Sequence, residues 1–237
     1  MELQNKKAIV TGASSGLGAA LATALVRKGA SVWGLARNEK RLIDLQQQLG
    51  NVFIPVCLDI TDANAVTNWV QHTFNDNPAP DILINNAGIG TFGKIDTMPA
   101  VEWLGMIQTN LIGMYHITAQ LVPYMKAAQQ AAHILNIGSI MGTVAKEEAT
   151  AYCTSKFGVR GFSESLFKEL RNDQIKVTCV NPGSIETPFF QHTGIETHAH
   201  MLQPAEVAEL IIHLLETQDN LLVDEITLRP LIPTKPQ

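Results

Sequence analysis

Lys7-Ala8-Ile9-Val10-Thr11-Gly12-Ala13-Ser14-Ser15-Gly16-Leu17-Gly18 decides the fold. Lys7–Thr11 (KAIVT) reads as a short buried strand. Gly16–Lys28 reads as a helix, with Leu17, Leu21, Ala24 and Leu25 on one face. Between them, glycines permit a tight turn and let a ligand approach the backbone closely. The helix then aims its free N–H groups and positive dipole end at that turn, which suits a pyrophosphate. The spacing is Gly-x3-Gly-x-Gly rather than the Gly-x-Gly-x2-Gly dinucleotide fingerprint, so an ordinary strand-to-helix turn is the competing reading of this motif alone.

Outward from the turn, short apolar runs alternate with longer helical segments. Strands are predicted at Ser31–Ala36, Val52–Leu58, Ile82–Asn85, Ala132–Ile137, Lys176–Asn181 and Leu221–Leu228. Helices are predicted at Asn38–Leu49, Asp62–Phe74, Val101–Lys126 (with Pro123 inside), Ala149–Arg171 and Pro204–Glu216. Asp62 or Thr61 offers a cap for the third helix, and Pro204 suits a first turn. Such alternation predicts an α/β fold, a doubly wound parallel sheet with helices on both faces. The strands lack strict polar alternation, as expected when both faces are covered. No repeat, low-complexity tract or linker interrupts the chain, so one domain over 1–237 is the simplest reading, with 230–237 as a Pro-rich tail.

Composition narrows the function. Of 237 residues, 46% are hydrophobic and 16% charged, enough for a large core and unlike a disordered chain. The net charge of -5 offers no bulk attraction to nucleic acid or anionic membrane, so neither is expected as a partner. Cys57, Cys153 and Cys179 are odd in number and lack CxxC spacing, which argues against a disulfide framework or a cysteine zinc site. A reducing, cytoplasmic setting fits. No apolar stretch approaches the ~18–20 residues that span a bilayer.

Candidate catalytic chemistry lies between Asn110 and Lys156. Tyr152 and Lys156, four apart on a predicted helix, share a face. A nearby ammonium stabilises a phenolate, so Lys156 is expected to lower the Tyr152 pKa and fit it for acid–base work. The competing reading is a tyrosine ring packed on a lysine stem. Ser139 follows the fifth strand, where its hydroxyl can meet a substrate oxygen or merely form a turn. Asn110 sits inside the long helix, where it can hold a proton-relaying water or satisfy a local kink. Near the glycines, nucleotide folds that use NAD place an acid at the end of the second strand. Here Ala36 and then Arg37 stand there, and a guanidinium pairs with a 2′-phosphate, which predicts NADP(H).

Taken together these residues resemble the short-chain dehydrogenase/reductase family. Thr11-Gly12-x3-Gly16-x-Gly18 is similar to its cofactor turn, Asp59 to its adenine-contacting acid, and Asn85-Asn86-Ala87-Gly88 to its signature after the fourth strand. Asn110, Ser139, Tyr152 and Lys156 match its catalytic tetrad in identity and order; Pro182-Gly183 and Thr187 match its nicotinamide-side motif. The resemblance runs from about Lys6 to Leu228. It implies a Rossmann-type sheet of about seven strands and cofactor contacts from Gly12, Ser14, Ser15, Gly16, Leu17, Gly18, Arg37, Asp59, Ile60, Asn86, Ala87, Gly88, Tyr152, Lys156, Pro182, Gly183, Ile185 and Thr187. It also implies a homodimer or homotetramer through the two long helices, and places Arg37 in the NADP(H)-preferring subgroup.

Substrate choice is expected in residues 184–203, a mobile lid in that family. Phe189, Phe190, His192, Ile195, His198, His200 and Met201 lie there; Met141, Ile89 and Phe92 join them in a partly apolar pocket. With Ser139, Met141, Tyr152 and Phe189 as substrate contacts, the expected substrate is a small or medium ketone, aldehyde or 3-oxoacyl compound, or the matching alcohol. No metal is expected, although His-x-His invites one. An NAD-linked alcohol dehydrogenase working oxidatively, and a non-catalytic NADPH sensor on the same fold, stay open. Cys153, about 100° around the helix from Tyr152, reads as a small buried residue.

Overall fold

The computed structural model describes residues 1–193 and 196–232. Ile195 and the last five residues of the expected tail, 233–237, lie outside the described residues.

Seven strands, all parallel, form one sheet: β1 (Lys7–Thr11), β2 (Ser31–Ala36), β3 (Phe53–Cys57), β4 (Ile82–Asn85), β5 (Ala132–Ile137), β6 (Ile175–Pro182) and β7 (Glu225–Leu228). Their spatial order is β3-β2-β1-β4-β5-β6-β7. Alternate residues feed opposite cores, as a pleat of period two requires. Ala8, Val10, Ile82, Ile84, Leu135 and Val180 face one core with α1 (Gly16–Arg27), α2 (Glu39–Leu49) and α7 (Pro204–Leu215). Ile9, Leu83, Ile134 and Val177 face the other, with α3 (Ala63–Phe74), α5 (Met114–Ala127) and α6 (Thr150–Leu170). This is the expected doubly wound, Rossmann-type sheet. Each fully buried Leu or Ile contributes about 1.5–3 kcal/mol, so both helical layers are held mainly by this apolar sandwich.

Caps fix the helix starts. Asp62 accepts hydrogen bonds from the Asn64 and Ala65 N–H groups, both at 3.0 Å, and Asn38 accepts one from Arg41 at 3.0 Å. The expected helices therefore begin one residue later than read, with Asn38 and Asp62 as caps.

Two expectations need larger corrections. The single helix over 101–126 is α4 (Ala100–Ile107), a π turn at Gln108–Gly113, and then α5. The wider turn carries Asn110, whose side chain is engaged outside the helix. The last strand is shorter than Leu221–Leu228: the carbonyls of Gln218 and Leu221 accept from Lys176 Nζ at 2.6 and 2.7 Å, and the Val223 carbonyl accepts from the Thr178 hydroxyl at 2.7 Å. Side chains of β6 thus hold that segment before the ladder with β7 begins.

The winding reverses between β1 and β4, so the loops after their carboxyl ends part and leave a crevice. In open α/β sheets this is where ligands bind.

Candidate active site

A cleft of about 1200 Å³ opens along the carboxyl ends of the strands. At one end lies the glycine turn. Gly12 (φ +68°) and Gly16 (φ +53°) both adopt left-handed backbone that an L side chain resists. Ser15, the N-cap of α1, makes no side-chain cap, so the N–H groups of the first turn stay free for an anion. The Thr11 hydroxyl accepts the N–H groups of Asn86 and Ala87, each at 3.0 Å, and Asn86 Nδ2 donates to the Thr11 carbonyl at 2.9 Å. The signature after β4 therefore braces the turn after β1.

Arg37, directly after β2, lies on the cleft wall with its guanidinium 3.9 Å from Asp59, which follows β3. Burial disfavours the Asp59 carboxylate, but hydrogen bonds from the Thr61 N–H and hydroxyl, with Arg37 nearby, outweigh it and hold the pKa below its ordinary value. This end carries cations, free N–H groups and Gly-opened backbone. A dinucleotide with an extra phosphate fits it.

At the other end, α6 delivers Tyr152 and Lys156 beneath the loop after β5. Tyr152, Lys156 and Ser139 are all buried yet line the cleft. Burial pushes the Tyr152 phenol up to about 12, opposed by a hydrogen bond with Ser139. Burial also pushes Lys156 down to about 8. Lys156 Nζ donates to the Ile137 carbonyl at 2.8 Å and stands 5.8 Å from the centre of the Tyr152 ring. The expected lowering of the phenol pKa by Lys156 is thus overturned in the protein by itself, because desolvation dominates. Near neutral pH Tyr152 keeps its proton.

Asn110 sits on the π turn, in keeping with the reading of an asparagine that satisfies a local kink. Its Oδ1 accepts the Ile89 N–H at 2.8 Å, and its Nδ2 donates to the Ile89 carbonyl at 2.9 Å and to Ser155 Oγ at 3.0 Å. The side chain is engaged with these partners behind Gly88 and does not line the cleft. Gly18 likewise lies outside the cleft wall: a Cβ there would fall 2.2 Å from the Gly12 carbonyl oxygen. Its contact is with the turn.

A family model described as short chain dehydrogenase matches residues 6–197. The chain belongs to the short chain dehydrogenase family. It is an oxidoreductase of that family. It is 36% identical over 208 residues to a 3-oxoacyl-(acyl-carrier-protein) reductase of Haemophilus influenzae, spanning 88% of this chain and 86% of that protein. A 3-ketoacyl-(acyl-carrier-protein) reductase from Brucella melitensis, solved with NADH, superposes with TM-score 0.89 at 25% identity, covering 98% of this chain and 100% of that one. A metagenomic short-chain oxidoreductase solved with NADP gives TM-score 0.85 at 30% identity, with the same coverage.

In this short chain dehydrogenase the remaining expected residues converge on one cleft: Ser14, Leu17, Ile60, Gly88, Met141, Pro182, Gly183, Ile185, Thr187 and Phe189 all line it. The segment expected to act as a lid is held at its base, where Ile185 bridges to Leu202. Phe92 and Phe189 meet the Tyr152 ring at 5.7 and 5.8 Å. Phe189 can come so close because residue 90 is glycine; a Cβ there would lie 2.3 Å from its ring. His198 lines the lid side, its Nδ1 buried without a partner. Among the described residues no group of three His, Cys, Asp or Glu could hold a metal, and no helix is long and apolar enough to cross a membrane.

Sequence reading missed Arg41 and Lys146, both on the cleft wall. Arg41 follows Arg37 by only four residues, a closeness along the chain that could have signalled a second cation at the same end. Lys146, over the Phe92 ring at 5.9 Å, sits in a loop without periodicity and gave no such signal.

Proposed function

We propose that this chain is an NADP(H)-dependent reductase of a small or medium apolar ketone, aldehyde or 3-oxoacyl compound, with Tyr152 as proton donor. One observation carries the reading: a buried, protonated Tyr152 and the Ser139 hydroxyl line the same cleft as a glycine turn that ends on free helix N–H groups. The turn from Gly12 to Leu17 holds the pyrophosphate, Arg37 and Arg41 the 2′-phosphate, and Asp59, Ile60 and Asn86–Gly88 the adenosine side. Lys156, Pro182, Gly183, Ile185 and Thr187 hold the nicotinamide side. NADPH, when bound, supplies the hydride.

The protein's own work is orientation and proton transfer. Ser139 and Tyr152 donate hydrogen bonds to the substrate oxygen, and Tyr152 then passes its proton to it. Lys156, sharing the cleft and holding the Ile137 carbonyl, keeps the β5 loop and α6 in register. Asn110, through Ile89 and Ser155, supports the same loop–helix junction. The aromatic walls Phe92 and Phe189, with Met141, favour an apolar substituent on the carbonyl. The two acyl-carrier-protein reductases among its relatives support the 3-oxoacyl choice. The NADH bound by the Brucella reductase favours NAD(H) use as a second reading; the paired cations Arg37 and Arg41 weigh against it.

Exposed Val101, Leu104, Tyr115 and Phe157 on the long helices support a homodimer or homotetramer. Three free cysteines support a cytoplasmic setting. Tyr152→Phe tests the central role. Turnover should fall by about 10²–10⁴ while NADPH still binds. Near wild-type turnover in that variant would remove Tyr152 as the proton donor.

A further inference from the structure

Ser139 sits at the tip of a loop, yet its hydroxyl must meet a substrate oxygen within hydrogen-bond tolerance. The hydroxyl itself accepts the Met141 N–H at 3.1 Å, capping the short turn Ile140–Gly142, and the backbone beneath it is held from two sides. On one side Lys156 Nζ grips the Ile137 carbonyl at 2.8 Å. On the other, the Ser139 N–H donates to Asn181 Oδ1 at 3.3 Å, and the Gly138 N–H donates to the Val180 carbonyl at 2.7 Å. Gly138 makes room for this: a Cβ at that position would lie 2.2 Å from Asn181 Oδ1.

Asn181 is fully buried in β6, and its amide could face either way. An amide with its NH2 end toward Ser139 would oppose donor to donor and push the loop away. Two groups set its direction: the Cys179 thiol donates to Oδ1 at 3.4 Å, and Glu225, on the neighbouring edge strand β7, takes the other end. Its Oε1 accepts from Asn181 Nδ2 at 2.8 Å. An ionised carboxylate only accepts, so it can bind only the NH2 end and leaves Oδ1 for Ser139. Glu225 is itself aimed by Arg160, whose Nε donates to both carboxylate oxygens at 2.9 and 3.0 Å. Arg160 follows Lys156 by four residues on α6, so one stripe of that helix supplies Tyr152, Lys156 and Arg160 in succession.

We propose that Glu225 is a positioning residue for Ser139, acting through the Asn181 amide, with Arg160 fixing the carboxylate. The proposal rests on the reductase reading for its effect on rate, but not for its effect on the loop. As a half-exposed ion pair, Arg160–Glu225 contributes little to stability. Its consequence is the direction of one buried amide.

The test compares Glu225→Leu with Glu225→Gln. Glutamine keeps an acceptor oxygen for Asn181 and is the conservative rescue. Exchange of the Ser139 amide hydrogen is measured first, because it needs no substrate. In Glu225→Leu that amide should exchange faster, and in Glu225→Gln as in wild type. With NADPH and a turned-over carbonyl, kcat of Glu225→Leu should fall about tenfold with KM for NADPH unchanged, as a small misplacement of a catalytic group implies. Glu225→Gln should keep the wild-type kcat. If Glu225→Leu does not fold, Glu225→Ser, too short to reach Asn181, takes its place with the same expectation. Unchanged Ser139 exchange in the folded variant would overturn the proposal, and so would a Glu225→Gln as impaired as Glu225→Leu. A chain that reduces no carbonyl would defeat the reductase reading alone, since the exchange result still judges Glu225.

Discussion

The two ends of the cleft are built by different means. Around Gly12 and Gly16 the site is backbone: left-handed glycines, the uncapped N–H groups of α1, and a turn braced by Thr11 and Asn86. Around Tyr152 it is side chain: a phenol from α6, a hydroxyl from the loop after β5, an amine under Ile137, and rings from two loops. A backbone site fails when a Cβ is added and tolerates most other changes. A side-chain site fails when one functional group is lost, while the fold survives.

That contrast can be broken most sharply at Ser139. Ser139→Ala removes one donor to the substrate oxygen and should cost about 10²–10³ in kcat, with NADPH affinity unchanged in a fluorescence titration. Loss of affinity instead would mean that the two ends are not independent. Next in size, Arg37→Ala should weaken NADPH binding about tenfold, the worth of one charge-assisted hydrogen bond, and leave NADH binding unchanged. Equal weakening of both cofactors would contradict the 2′-phosphate role.

Gly18→Ala probes the backbone end. Its Cβ would strike the Gly12 carbonyl, so thermal or denaturant unfolding should reveal a loss of about 1–3 kcal/mol. A neutral result would show that the turn has slack.

The smallest effect is a pH dependence of stability. Lys156 is held at about 8 in the folded chain against an ordinary 10.5. The unfolded chain binds that proton more tightly, so its burial costs stability below pH 8, and the cost is relieved as pH rises toward 10.5. Tyr152, raised to about 12 from 10.0, acts oppositely, with stability lost as pH climbs between those values. Melting temperatures across pH should therefore show a rise above pH 8 that Lys156→Met flattens. An identical profile in the variant would mean that Lys156 is not desolvated.

The same contrast explains what the sequence made legible. Glycine spacing, strand order and the Tyr152–Lys156 interval are local patterns, and they pointed to the sheet, the turn and the face of α6. Asn110 was found by its place in the chain, yet its committed side chain was not, because the π turn and the Ile89 backbone meet only in three dimensions. The direction of the Tyr152 pKa was misread for a related reason: spacing shows an ammonium nearby but not how much water burial removes. Asn181 and Glu225 are 44 positions apart and carry no joint signal along the chain. Parallel pairing of β6 with β7 brings them together.

The measurement that bears most directly on the account is turnover by the wild-type chain. Purified protein is titrated with NADPH and NADH separately, then given a panel of apolar ketones, aldehydes and 3-oxoacyl thioesters with each cofactor, following loss of the reduced nicotinamide absorbance. The account predicts tighter binding of NADPH and its oxidation by at least one class of carbonyl. Tight NADPH binding with no carbonyl consumed across the panel would contradict the reductase assignment and leave a cofactor-binding protein in its place.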